Sequence, residues 1–263
     1  MRMSKLSVGA AVVVATVSFA GGALAQEGEA AASADVGMTL PGGAPKTKAA
    51  EGETDHDQMV GRMAVGYMGR FNVPIAQGND GNAPAVGFVP APAVGIRYWL
   101  DQSMGLDVGL GLLSTGGSDS YNNGNQTTSN DEAGVNAALI HAGLPLALAS
   151  SKHFTFLVVP EVNVGFAQQT QEAGGTKMER SGLGLDVGAR AGAEIHFGFM
   201  GVPELSLQGG IGVLFTMASV KYTYTQPNTP EHTGERKHNE LNTTVNGHPW
   251  DIFQSNIAAL YYF

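Results

Sequence analysis

The chain contains no cysteine. That excludes a disulfide-stapled scaffold, a thiolate-held zinc or iron–sulfur centre and a cysteine nucleophile. Charge is also scarce: 14% of residues are Asp, Glu, Lys or Arg, where ordinary proteins have about 25%. Only 14 of the 263 residues are Lys or Arg against 23 acids, for a formal charge of −9. Such a balance excludes a broad nucleic-acid-binding surface. Beyond the N-terminal leader there is no run of 18 apolar residues, so no later membrane-spanning helix is expected. What is abundant is glycine, with 37 residues, roughly twice the ~7% of average usage.

The first 25 residues read as a secretory signal peptide. Arg2 and Lys5 form its positive start, Leu6 to Ala20 its apolar stretch, and Ala23-Leu24-Ala25 its small-residue cleavage site ahead of Gln26. No cysteine follows to carry a lipid anchor. From Gln26 to Val60 the chain is rich in Ala, Gly and Glu, with seven acids against Lys46 and Lys48. Such a segment buries too little apolar area to offset the entropy of ordering it. A disordered acidic arm over 26–60 is expected. Asp55-His56-Asp57 has the residue types of a metal grip, but in an acidic arm the solvated reading is favoured.

From Arg62 onward the hydrophobic period becomes two, which is strand periodicity. Met63, Val65, Tyr67, Gly69 and Phe71 alternate with Arg62, Ala64, Gly66, Met68 and Arg70. Val94, Ile96 and Tyr98 alternate with Ala93, Gly95, Arg97 and Trp99. The pattern recurs around Leu106–Leu112, Ala138–Leu148, Phe154–Phe166, Leu183–Phe199, Leu205–Met217 and Phe253–Phe263, giving eight strands. One face of each is bulky and apolar; the other holds Gly, Ala and nearly all strand-borne charge. In a soluble sandwich the bulky face fills the core. Here the apolar face is too continuous, and the polar face too small and glycine-rich, to be a solvated exterior. The inverse placement fits: apolar side chains toward lipid, small and polar ones inward. Connections support it. Those at Asp101–Ser103, Ser150–Lys152 and Met200–Glu204 are short. Those at Asn72–Ala91, Ser114–Ala133, Gln168–Arg180 and Ser219–Pro249 are long and polar. Short and long connections alternate in transmembrane barrels. The expected fold over 61–263 is therefore all-β: an eight-stranded antiparallel up-and-down transmembrane β-barrel, with both ends and the acidic arm on the periplasmic side.

These residues resemble the small eight-stranded outer-membrane barrels of Gram-negative bacteria, the OmpA/OmpX-like and OmpW-like group. The most specific element is the C-terminus, where Ile257, Ala259, Tyr261 and the terminal Phe263 look like that group's assembly signal. The resemblance implies an outer-membrane location, lipids as surroundings, and dealings with periplasmic chaperones and the barrel-assembly machinery during biogenesis. A monomer without cofactor, metal or nucleic-acid partner is expected.

The inward face carries Arg62, Arg70, Arg97 and Arg190 against Asp107, Glu161, Asp186 and Glu194. An unpaired charge in a narrow interior is costly, so pairing is expected. A three-residue turn at Asp101–Ser103 places Arg97 opposite Asp107. A matching turn at Ser150–Lys152 places His141 opposite Glu161, with Arg190 completing a network to Glu161 or Asp186. A polar plug is the favoured reading, since eight strands leave no open channel. Gly182-Leu183-Gly184 with Gly188 lacks the following helix of a dinucleotide-binding turn. His232 and His238 among Glu231, Glu235 and Glu240 read as a solvated loop. Ser114, Asp119, Asp131 and Glu132 share a rim loop without the spacing of a catalytic triad or dyad. The expected role is non-enzymatic: envelope integrity, or surface interaction through the long loops. An OmpW-like conduit for small apolar molecules or ions is the alternative, and a rim-located lipid or peptide hydrolase the second.

Overall fold

Alternating aliphatic and small residues favour extended backbone, whose N–H and C=O groups must find partners on neighbouring strands. The computed structural model describes residues 53–78, 84–122, 124, 127–173, 175–245 and 256–263. The signal-peptide segment, the arm up to residue 52, and Phe253 and Gln254 of the eighth expected strand lie outside the described residues. Twelve strands occur among the described residues. They are β1 (Met63–Gln77), β2 (Ala85–Trp99), β3 (Gly105–Ser114), β4 (Gly117–Asn122), β5 (Thr127–Glu132) and β6 (Val135–Gly143). There follow β7 (Leu146–Ser151), β8 (Phe154–Ala173), β9 (Thr176–Phe197), β10 (Val202–Thr225), β11 (His232–Thr243) and β12 (Ile257–Tyr262). Single 3-10 turns lie at Asp57–Met59 and Gly198–Met200.

Every strand pairing is antiparallel, and the fold is all-β. Lateral pairing runs β1–β2–β3–β6–β8–β9–β10–β12, and β12 pairs again with β1 through Ala64↔Tyr262 to Tyr67↔Ala259. β7 follows β6 across Leu144-Pro145 and pairs with the first residues of β8. The Gly105 N–H donates to Pro145 O at 2.8 Å, tying β3 to this junction.

Much of the expected loop sequence is paired strand. β1 and β2 pair out to Gln77↔Ala85, and β8 and β9 out to Ala173↔Thr176. β10 is matched by β11 from Val213↔Thr243 to Tyr224↔His232, and β4 and β5 form a separate two-stranded sheet. The sequence hides these extensions because a ladder satisfies backbone groups whether or not side chains alternate.

Along the strands one face is buried and the other exposed, in the sense the pattern predicts. Val94 is 63% exposed and Ile140 58%, whereas Ala93 and Leu139 between such residues are buried. β1 departs from this. Its register shifts between Tyr67 and Gly69, and Gly69 takes a φ of 124°, where a side chain would be strained. The shift inverts the faces beyond it. Phe71, expected outward, is buried, and so are Val73 and Ile75, expected in a polar connection, while Arg70, expected inward, is exposed.

In the same half of β1, Val73, Pro74, Ile75 and Ala76 are all buried, because the strand packs face-on against β8 and β9. A Cβ at Gly182 would lie 1.9 Å from the Pro74 carbonyl oxygen, and one at Gly184 2.6 Å from Pro74 Cδ. Glycine is required there for the two backbones to approach. Proline is tolerated because beyond Tyr67 this strand pairs with β2 on one side and with no described strand on the other. The resulting apolar cluster joins Phe71, Val73 and Ile75 to Ala91, Ala93, Ala137, Leu139 and Ala167.

The expected arm ends before Val60. Thr54 and Asp57 cap each other: Thr54 N–H donates to Asp57 Oδ2 at 2.9 Å and Asp57 N–H to Thr54 Oγ1 at 3.2 Å. The Asp55 N–H donates to Lys152 O at 2.9 Å. His56 and Met59 are buried, Met59 in a second apolar cluster with Ala64, Met68, Trp99, Leu260 and Tyr262. A polar composition concealed a few anchoring side chains.

Candidate functional site

Arg97 on β2 is 1% exposed and anchors the interior. It forks onto Asp107 of β3, Nε to Oδ1 at 2.7 Å and Nη2 to Oδ2 at 2.6 Å, while Nη1 donates to Glu194 Oε2 of β9 at 2.9 Å. Bidentate guanidinium–carboxylate pairs fix geometry as well as charge. Arg97↔Asp107 is the expected register, set by the turn in which Leu100 N–H donates to Met104 O at 2.9 Å. Glu194 is then completed by partners that pairing arithmetic did not name. Its Oε1 accepts from Ser206 Oγ at 2.5 Å and from the Tyr262 hydroxyl at 2.9 Å, and that hydroxyl accepts from Trp99 Nε1 at 3.0 Å. Strand parity already placed Trp99, Ser206 and Tyr262 on the inner face, which was the available signal.

A second polar group lies around β8 and β9. Arg190 donates through Nε to Glu161 Oε2 at 2.9 Å and also through Nη2 to the same oxygen. Its guanidinium sits 5.4 Å from the centre of the Phe71 ring, within cation–π range. Asp186 Oδ1 accepts from Thr216 Oγ1 at 2.7 Å. His141, expected opposite Glu161, instead faces Asn163, with Nδ1 and Oδ1 2.7 Å apart; Glu161 is opposite Gly143. The β7–β8 turn holds two residues, not three, and a register shift between Ala147 and Ala149 moves the ladder.

The expected balance of four positive against four negative interior groups is also corrected. Arg62 precedes β1, partly exposed and outside the network, and Arg70 is exposed. The network's own charges are Arg97 and Arg190 with Asp107, Glu161, Asp186 and Glu194, an excess of acid.

A cavity of about 520 Å³ adjoins this second group, lined by Arg70, Asn72, Glu161, Asp186, Arg190, Thr216 and Glu240, with Phe71, Phe88, Leu214 and Asn242 beside them. Between the two polar groups the free space is about 10 Å³, bounded by Met68, Arg97, Asp107, His141 and Arg190. That is no more than one water needs.

At the short-turn end Asp55 Oδ2 accepts from His153 Nδ1 at 2.7 Å and from the Gly198 N–H at 3.2 Å. His56 Nε2 donates to Gln102 O at 2.9 Å, and its ring stands edge-on to Trp99 at 4.4 Å. Burial pushes the His56 imidazole below its ordinary value, outweighing the backbone hydrogen bond that favours the charged form. Asp57 is held below the usual carboxylate range by hydrogen bonds from Thr54. Asp55, His56 and Asp57 each turn to a different partner, and this ordered packing replaces the solvated reading of the triplet.

Elsewhere, Ser114 Oγ donates to Asn136 Oδ1 at 2.8 Å, and His238 Nε2 lies 3.3 Å from Glu240 Oε2 on β11. Of the C-terminal positions, Tyr261 and Phe263 are exposed, Ile257 and Ala259 partly so, on the face opposite buried Ala258, Leu260 and Tyr262. No protein-family model matches the chain, and no curated protein is significantly similar to it.

Proposed function

We propose that this protein is an integral outer-membrane β-barrel whose eight walls are β1, β2, β3, β6 with β7, β8, β9, β10 and β12. Its interior is plugged and its role is structural, in envelope integrity or in surface contacts made by the long hairpins. One observation carries the reading: the bulky apolar side chains lie on the exposed face while the ion pairs are buried on the other. A hydrocarbon surrounding stabilises that arrangement and water does not. The plug is supported by the buried Arg97–Asp107–Glu194 group and by His56 and Met59 at the short-turn end.

The chain has no native cysteine, so single labels test this directly. Thr229→Cys, between β10 and β11, is expected to react with a membrane-impermeant maleimide on intact cells. Gln102→Cys, in the short β2–β3 turn, should react only after the outer membrane is permeabilised. Recovery of the protein in the soluble periplasmic fraction would overturn the proposal. The conduit reading is favoured by the 520 Å³ cavity alone. Planar-bilayer recordings are expected to be silent; steady openings lost in Arg97→Ala would replace the plug with a channel.

A further inference from the structure

Glu161 is a buried polar group in the cavity wall that its partners among the described residues leave incomplete. Its side chain is fully buried, and both hydrogen bonds from Arg190 go to Oε2. Among the described residues Oε1 has no hydrogen-bond partner. A buried carboxylate oxygen without a donor costs the full desolvation of that atom. Next to it in the wall, Asp186 accepts on Oδ1 from Thr216, and a carboxylate can accept about four such bonds. Arg190 is already committed to Glu161, and the other cation, Arg70, is exposed. The wall therefore has three carboxylates, Glu161, Asp186 and the more exposed Glu240, against Arg190 and the exposed Arg70, and among the described residues no wall donor serves Oε1 of Glu161. Beside it, exposed Phe88 and half-buried Leu214 offer apolar surface.

We infer that the cavity lined from β1, β2, β8, β9, β10 and β11 binds a small primary alkylammonium, its N–H groups on Glu161 and Asp186 and its alkyl chain against Phe88 and Leu214. The ligand needs positive charge to balance the excess carboxylate and N–H donors to fill Oε1. It also needs a short apolar tail to use the aromatic wall. An anion would face two carboxylates, and a quaternary ammonium would carry the charge without the donors. The inference does not depend on the membrane setting, since it rests on the cavity wall alone.

The test is calorimetric titration of the full chain, folded in detergent micelles, with n-butylammonium chloride. Tetramethylammonium chloride and sodium butyrate serve as comparison probes. Saturable binding of butylammonium is expected, with little heat from either comparison. Asp186→Asn should weaken it about tenfold, the scale of one charge-assisted hydrogen bond. Asn242→Trp, which fills the cavity from β11 and leaves Glu161 and Asp186 in place, should abolish it. Glu235→Gln, on β11 outside the wall, should leave it unchanged. Heat-modifiable gel mobility checks that each variant is folded. Absence of butylammonium binding to the native chain overturns the inference, as does equal binding of tetramethylammonium, preference for butyrate, or insensitivity to both wall variants. None of these results bears on the labelling test of membrane topology.

Discussion

Arg97 holds two carboxylates from different strands, and among the described residues the one other basic group within ion-pair distance of either is the His196 ring, 3.8 Å from Glu194. Arg97→Leu would strand both charges in the interior, at about 3–5 kcal/mol. The expected result is a clearly lower denaturant midpoint in detergent. Tyr262→Phe removes one of three donors to Glu194 and should cost less, about 1–3 kcal/mol. Equal losses in the two would show that the guanidinium is not the anchor. Glycines offer a second contrast. Gly182→Ala drives a Cβ into the Pro74 carbonyl, whereas Gly209→Ala meets nothing within 4 Å. The first should lower the midpoint markedly and the second leave it within about 0.5 kcal/mol, the range of unencumbered surface changes. The Arg97–Asp107 pair was legible in the sequence because the intervening turn is short and regular. His141 was not, since a two-residue turn and a register shift leave no compositional mark. Arg70 and Phe71 were misplaced for the same reason: one irregularity at Gly69 exchanges the faces of everything after it.

Among the elements, the alternation of strands and the order of their pairing follow from period-two patterning and turn positions, so most of the architecture was readable. The ordered stretch at Thr54–Met59 was not, because its few anchors sit in a polar context. This short element makes a pH prediction. Burial disfavours protonated His56, with His196 opposing it further and Asp57 and Glu194 favouring it. The docked form therefore binds fewer protons than the released one. Docking should be complete above His56's ordinary value of about 6.5 and weaken as pH falls below it. Trp99 reports this through its edge-on contact with His56. In a Trp250→Phe background its emission is expected to shift on acidification, and His56→Leu should remove most of that shift. A pH-independent spectrum in the Trp250→Phe protein with His56 intact would show that His56 does not govern docking.

At the scale of the whole molecule, the exposed apolar face makes opposite predictions for the two environments. Val213 lies on that face, flanked by exposed Ile211 and Phe215. Val213→Arg should cost about 2–4 kcal/mol in a bilayer if it lies near the midplane, read as a smaller fraction folded into lipid vesicles. Thr229→Arg, at the hairpin end, is expected to be silent. A Val213→Arg protein that folds as well in vesicles as the native chain would point to an aqueous setting.

The strand latest in sequence lies between β10 and the earliest, and through Tyr262 it also reaches the buried acid of β9. Sealing the seam and finishing the solvation of Glu194 are thus a single event. A chain stopped short of Ile257 would keep an open edge on β1 and lack one of the carboxylate's donors, with no partly assembled form able to compensate both. The two gains arrive together with the last strand.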